Sequence, residues 1–322
     1  DPGLYTGDSA LFKGRTMTYY GRWTYKYEEA ARQGATAILI IHETVGAGYD
    51  FSIPRKSSIS PGLYQEPVAG DPEPCPVTGW LSAEAASVLF GAQGHDVEQL
   101  RSDACIRGFS GFEMGASISL RLINTHLRNS SMNVAGILRG TTRPEEAVVI
   151  SAHWDHFGIG EKENGDSIYN GAVDNGTSMA WALEIGEAFS SMKKRPERSV
   201  ILFFPTAEEQ GLLGSSWFVA NPPVRQENLI ACFNNDLLLP IGRMKDMMVT
   251  GYGQSDLDDM LAGAASRQGR YLMPDPNPET GMYFRSDHFP FAKAGIPSMF
   301  ARGNCDSREY GIEWAADREK EY

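Results

Sequence analysis

The chain has 322 residues, of which 42% are hydrophobic, 22% charged and 11% aromatic, with a formal net charge of -12. That is the profile of a globular protein with one large domain or two ordinary ones. The acidic balance argues against a nucleic-acid partner, because neutralising phosphate needs a basic face, and no apolar run approaches the roughly 20 residues that span a bilayer.

The opening DPGLYTGDSA reads as the middle of something and the closing WAADREKEY as a helix in progress. The expectation is a segment of a longer protein, with any signal peptide outside it. Residues 27–33 predict a short helix that stops at Gly34 and leads into the β-rich run 35–41. Pro and Gly punctuate 54–79, which predicts a long irregular loop. Ser82 is placed to cap a helix over 82–91, with Ala83, Ala86, Val88 and Leu89 as its apolar stripe. Residues 118–125 alternate like a half-buried strand. Cys75, Cys105, Cys232 and Cys305 are too far apart for a thiolate metal site. A Cys75–Cys105 bridge in an oxidising compartment and unpaired buried thiols both fit that spacing.

From Asn133 onward the pattern becomes strand, loop, helix. Strands are predicted over 133–140, 147–153, 199–206, 228–236 and 247–251, and helices over 175–191, 211–219 and 257–267. Buried strands alternating with helices predict an α/β fold, a mixed and mainly parallel sheet with helices on both faces. Ligands bind such sheets outside the carboxyl ends of the strands.

That rim is where the chemistry gathers. His153 ends one strand, with Asp155 two residues on, and Asp174 precedes the long helix. Glu208 and Glu209 follow the next strand, Asp236 ends another, and His288 lies in a later loop. Each has an ordinary role by itself, such as a cap for Asp174, a helix-start charge for the glutamates or a turn for Asp236. Together at one rim they point to a metal site. Imidazole and carboxylate without thiolate suit zinc in a catalytic setting. Of two adjacent glutamates, one can ligate while the other stays free as a base beside the metal-bound water. Asp155 leaves the strand end on the same face as His153 and can hold the second imidazole nitrogen. His42, His95 and His126 read as structural or surface residues. His156 either lines the pocket or packs within its loop.

The segments SAHWDHFG, GAVDNGTS, PTAEEQGLLGS, NNDL and RSDHFPFAKAGIP resemble the M28 family of zinc aminopeptidases. The resemblance implies two Zn2+ ions bridged by Asp174. His153 and Asp236 would complete one position, Glu209 and His288 the other. Glu208 would be the general base, Asp155 the outer partner of His153, and the Asp174–Asn175 peptide cis. A Tyr near the second His polarises the scissile carbonyl in such enzymes, for which Tyr283 is the candidate here, with loop packing as its other reading. The chain departs from the family in having Gly-Thr where Ala-Ser is common, and in lacking Met after Asp236.

YKYEEAARQGATAILIIHE and VTGWLSAEAASVLF resemble a protease-associated domain of the kind carried by bacterial members. The expected division is a partial, smaller, β-rich protease-associated domain over 1–128 and a zinc peptidase catalytic domain, truncated at its ends, over 129–322. A peptide substrate and a secreted or periplasmic location follow from the resemblance. Other readings of the same residues are a one-zinc glutaminyl cyclase, a carboxypeptidase acting on acidic peptides, and a non-catalytic receptor-type ectodomain.

Overall fold

Runs of β-branched and aromatic residues, such as AVVIS and SVILFF, have enough apolar surface on both faces to be buried on both sides. In the computed structural model, which describes residues 3, 6–11, 13–59, 61–66, 74–163 and 165–321, they form two interior strands of a seven-stranded sheet. The chain divides into two compact units, one of residues 1–129 with 277–281, the other of 130–276 with 282–322.

The first unit contains α1 (Trp23–Arg32), β1 (Ala37–Ile41), α2 (Ser52–Ile59), β2 (Val77–Leu81), α3 (Ala83–Gly91) and α4 (Val97–Ala104). Strands β1 and β2 pair in parallel. The Ser82 hydroxyl accepts the Ala85 N–H at 3.1 Å, which starts α3 as its sequence predicts. The expected loop over 54–79 instead carries most of α2 and the start of β2, although residues 60 and 67–73 lie outside the described residues. Residues 118–125 form no strand, and Leu122 and Ile123 are exposed. Alternation supplies a strand with two faces but not a partner, and among the described residues of this unit only β1 and β2 pair. All four cysteines are free thiols.

The second unit contains β3 (Val134–Leu138), β4 (Arg143–Ser151), β5 (Gly158–Glu163), β6 (Asp166–Tyr169), α5 (Ser178–Ser191), β7 (Arg198–Phe204), α6 (Leu213–Ala220), β8 (Leu229–Asn234), β9 (Asp246–Thr250), α7 (Leu257–Arg267), β10 (Tyr271–Pro274), α8 (His288–Lys293), β11 (Ser298–Arg302) and α9 (Gly311–Glu321). The sheet order is β10-β9-β11-β8-β4-β7-β3. Neighbours run parallel except at β3/β7 and β9/β11. Strands β5 and β6 form a separate antiparallel hairpin.

The period of two sorts the sheet into two cores. Val149, Ile201 and Phe203 face α6 and α8, where Phe218 and Phe291 complete the cluster. Ile150, Val200, Leu202 and Phe204 face α5 and meet Trp181, Ile185 and Phe189. Helices therefore cover both faces, as the alternating pattern predicts. Among the described residues, no helix is long and apolar enough to cross a membrane.

Phe203 is fully buried, with its ring centroid 4.1 Å from that of Phe218. Phe203→Ala leaves a cavity between the sheet and α6 and should cost about 3–5 kcal/mol of stability, read as a lower midpoint in urea unfolding.

Candidate metal centre

Three parallel strands bring the site together. β4 pairs with β7 on one side and β8 on the other, so Ser151 lies level with Phe203 and Asn234. The residues just beyond these ends, His153, Glu208, Glu209 and Asp236, emerge on one rim. Asp174 arrives from the turn Ala172–Thr177 that precedes α5. Backbone angles at Asp174 and Asn175 depart from helical values, and the peptide between them is cis.

His153 sits at the centre and is 1% exposed. Its Nε2 lies 3.1 Å from Asp174 Oδ1, 3.2 Å from Asp236 Oδ1 and 4.0 Å from Glu208 Oε2. Asp174 Oδ1 is buried and makes no hydrogen bond of acceptable geometry. His153, Asp174 and Asp236 thus form one convergent donor set. An imidazole nitrogen with carboxylate oxygens is a donor set that fits zinc.

A second set shares Asp174 and adds Glu209 and His156. His156 Nδ1 is 2.7 Å from Glu209 Oε1. Gly171, with φ +66, lets the chain turn against this histidine, and a methyl at that position would meet His156 Cβ at 3.1 Å. The other face of His156 carries Phe157, with ring centroids 5.0 Å apart. From there the β5–β6 hairpin leaves the rim and exposes Ile159 and Ile168.

The electrostatics favour a positive charge at this point. Burial pulls the His153 pKa down, but the close contacts of Asp174 and Asp236 and the field of Glu208 outweigh it, so the ring is held far above the usual imidazole range. Burial, then the fields of Asp287 and Asp236, raise Glu208 well above the carboxylate range. Burial and the charge of Asp174 raise Glu209 to about 7. At Asp236, burial opposes ionisation, but the hydrogen bond and charge of His153, the Ser286 hydroxyl and the Arg302 charge win, and its pKa is lowered.

Asp155 engages differently from its expected role. His153 Nδ1 faces the Asp155 backbone carbonyl at 3.0 Å, while the nearest carboxylate oxygen is 3.8 Å away. That carboxylate instead accepts the N–H groups of Glu208 and Glu209, at 3.1 and 3.4 Å. The two backbone donors at the glutamate turn need an acceptor, and Asp155 supplies it. One residue therefore ties the His153 strand end to the glutamate pair.

His288 lies in neither donor set. It opens α8 with its ring fully buried, 5.0 Å from the Tyr283 ring and 5.4 Å from Phe300. The ring packs between Tyr283 and Phe300, and neither of its nitrogens has a hydrogen-bond partner. The imidazole beside Glu209 is that of His156. Its nearness to the motif was visible in the sequence, but nothing there separated a site residue from a loop residue. Ser286, which donates to Asp236 Oδ2 at 2.7 Å, carried no signal beyond its place in RSDH.

Burial lowers the His288 pKa from 6.5 to about 4. The folded chain keeps this ring neutral while the unfolded chain protonates it, so stability present above pH 6.5 is lost as pH falls through about 4. His288→Gln should flatten that part of the acid limb in urea unfolding while leaving the zinc bound per chain unchanged.

Residues 133–320 match peptidase family M28. Aminopeptidase NAALADL1 of Rattus norvegicus is 33% identical over 132 residues, 39% of this chain and 16% of that protein. Carboxypeptidase Q of Bos taurus is 30% identical over 114 residues, 35% of this chain and 22% of that protein. The alignments thus span less than a quarter of these curated relatives. Among solved structures, the LapA aminopeptidase of Legionella pneumophila is similar with a TM-score of 0.43 and 23% identity, over 53% of this chain and 43% of that one. The family match runs from the residue before β3 into α9 and encloses both donor sets, and the chain belongs to peptidase family M28.

Proposed function

We propose that this region is the catalytic part of a zinc-dependent exopeptidase, an aminopeptidase that hydrolyses N-terminal peptide bonds with Glu208 as general base. The observation that carries this reading is the convergence of His153, Asp174 and Asp236 on one point, with the carboxyl of Glu208 beside it. Asp174 belongs to both donor sets, which supports two zinc positions bridged by that residue. His153 and Asp236 would hold the first, and Glu209 the second with His156 at its side. His288 is set apart from both.

Bound zinc would lower the pKa of a water and polarise the scissile carbonyl. The chain's own residues do the rest. Glu208 takes the proton from the attacking water and returns it to the leaving amine. Burial raises its proton affinity, and a bound cation would oppose that shift, leaving the carboxylate ionised to accept the proton. The Asp155 carbonyl accepts from His153 Nδ1 and so leaves Nε2 as the donor toward the site. Asp155 also fixes the glutamate turn, so that Glu208 and Glu209 face different tasks from adjacent positions.

Glu208→Gln should reduce hydrolysis of aminoacyl test substrates by about 10²–10⁴-fold while zinc content stays at the wild-type level. Full activity in that variant would sink the assignment. A chain that carries one zinc and cyclises an N-terminal Gln peptide would instead establish the cyclase reading.

Zinc titration of the metal-free chain should resolve two steps. His153 and Asp236 of the first set are buried, whereas the members of the second set are only half-buried, so the first position should be the tighter. Asp236→Ala should remove the tight step, and Glu209→Ala the weak one.

A further inference from the structure

Arg302, at the end of β11, is 9% exposed, and among the described residues no carboxylate lies within ion-pair reach of it. A buried guanidinium with no direct ion pair is costly; its charge reaches the Asp236 carboxylate only through space, and its Nε has no hydrogen-bond partner. What it does contact is the turn that carries a proposed zinc ligand. Its Nη1 donates to the Asp236 carbonyl at 3.0 Å and to the Leu237 carbonyl at 3.3 Å. Leu237 has φ +53, an unfavourable conformation for a branched residue, which needs its surroundings to hold it. Below, the guanidinium carbon lies 5.2 Å from the Phe300 ring centroid, which supports the charge from its apolar side.

The Asp236 side chain is held separately. Ser286 donates to Oδ2 at 2.7 Å and accepts from Asn234 Nδ2 at 2.7 Å, which leaves Oδ1 toward His153. The carboxylate therefore depends on two supports, a hydroxyl on its far oxygen and a cation on its backbone.

We propose that Arg302 is a positioning residue for the Asp236 ligand: by clamping the carbonyls of Asp236 and Leu237 it fixes the turn past β8, so that the Asp236 carboxylate meets His153 at the zinc position. This rests on the zinc reading above and extends it to a residue that touches neither metal nor substrate. Both contacts come from Nη1, whose two N–H bonds are fixed in the guanidinium plane and can serve the two carbonyls in one geometry, whereas the ammonium of lysine rotates on a flexible stem.

The test is zinc affinity, measured on the full chain by competition with a chromogenic chelator, together with the thermal midpoint of the zinc-free chain. Outer partners of metal ligands are worth about 10–100-fold in affinity. Arg302→Met should lose that much at the tight position, Arg302→Lys should recover part of it, and the zinc-free midpoint should not track the loss. Ser286→Ala should weaken the same position independently. Wild-type affinity in Arg302→Met, or a loss that Arg302→Lys does not reduce, overturns the inference. If Arg302→Met does not fold, Arg302→Lys decides: reduced affinity at an unchanged zinc-free midpoint supports it, and unchanged affinity overturns it. A wild-type chain that takes up no zinc sinks the zinc reading and this inference with it.

Discussion

Carboxylates crowded around one buried imidazole repel one another, and the rest of the second unit is arranged around that repulsion. Two like charges 4 Å apart cost about 4 kcal/mol at the effective dielectric of a protein site. Asp174, Glu208 and Asp236 all approach His153 to within 4.0 Å. The protein answers in two ways. It keeps Glu208 and Glu209 inclined to hold protons, and it makes the space beside His153 Nε2 favourable for a cation. Such a site is stable as a proton store or as a metal cage.

Holding the cage falls to residues that engage the proposed ligands through their backbone. The Asp155 carbonyl orients His153 while its carboxylate holds the glutamate turn. The Asn235 side chain accepts from the backbone N–H of Asp236, and Asn175 donates to the Asn235 carbonyl. The turns at Asp174 and Asp236 are therefore stitched to each other as well as to the sheet. Fixing the turns instead of the side-chain tips leaves each carboxylate a free oxygen for the site.

Much of this was legible from residue order. His153, Asp236 and the glutamate pair each follow a strand whose apolar run is unambiguous, and Asp174 precedes a helix with a clear period. Parallel strands then bring those ends to one rim, so linear position nearly determines place. His288 shows where that logic stops. It follows Asp287 in a loop rich in ring residues, and order alone does not tell whether the first residue of a one-and-a-half-turn helix faces the rim or the core. Here it faces Phe300 and Tyr283. Residues 118–125 failed for a related reason, since a strand pattern needs an edge to pair with. The β5–β6 hairpin was hidden because GIGEKENGD reads as a loop, with glycines and charges where strands usually carry branched side chains.

That hairpin bears on how chains of this family diverge. It departs at His156–Phe157, where the imidazole is bonded to Glu209, and returns at Gly171, whose backbone lies against that same imidazole. Both roots are anchored in the site, while the far strands carry exposed isoleucines and pair mainly with each other. Length and side chains along it can therefore drift without disturbing the ligands. A family that retunes which peptides reach an unchanged centre has, in this arm, an appendage to vary independently of the chemistry.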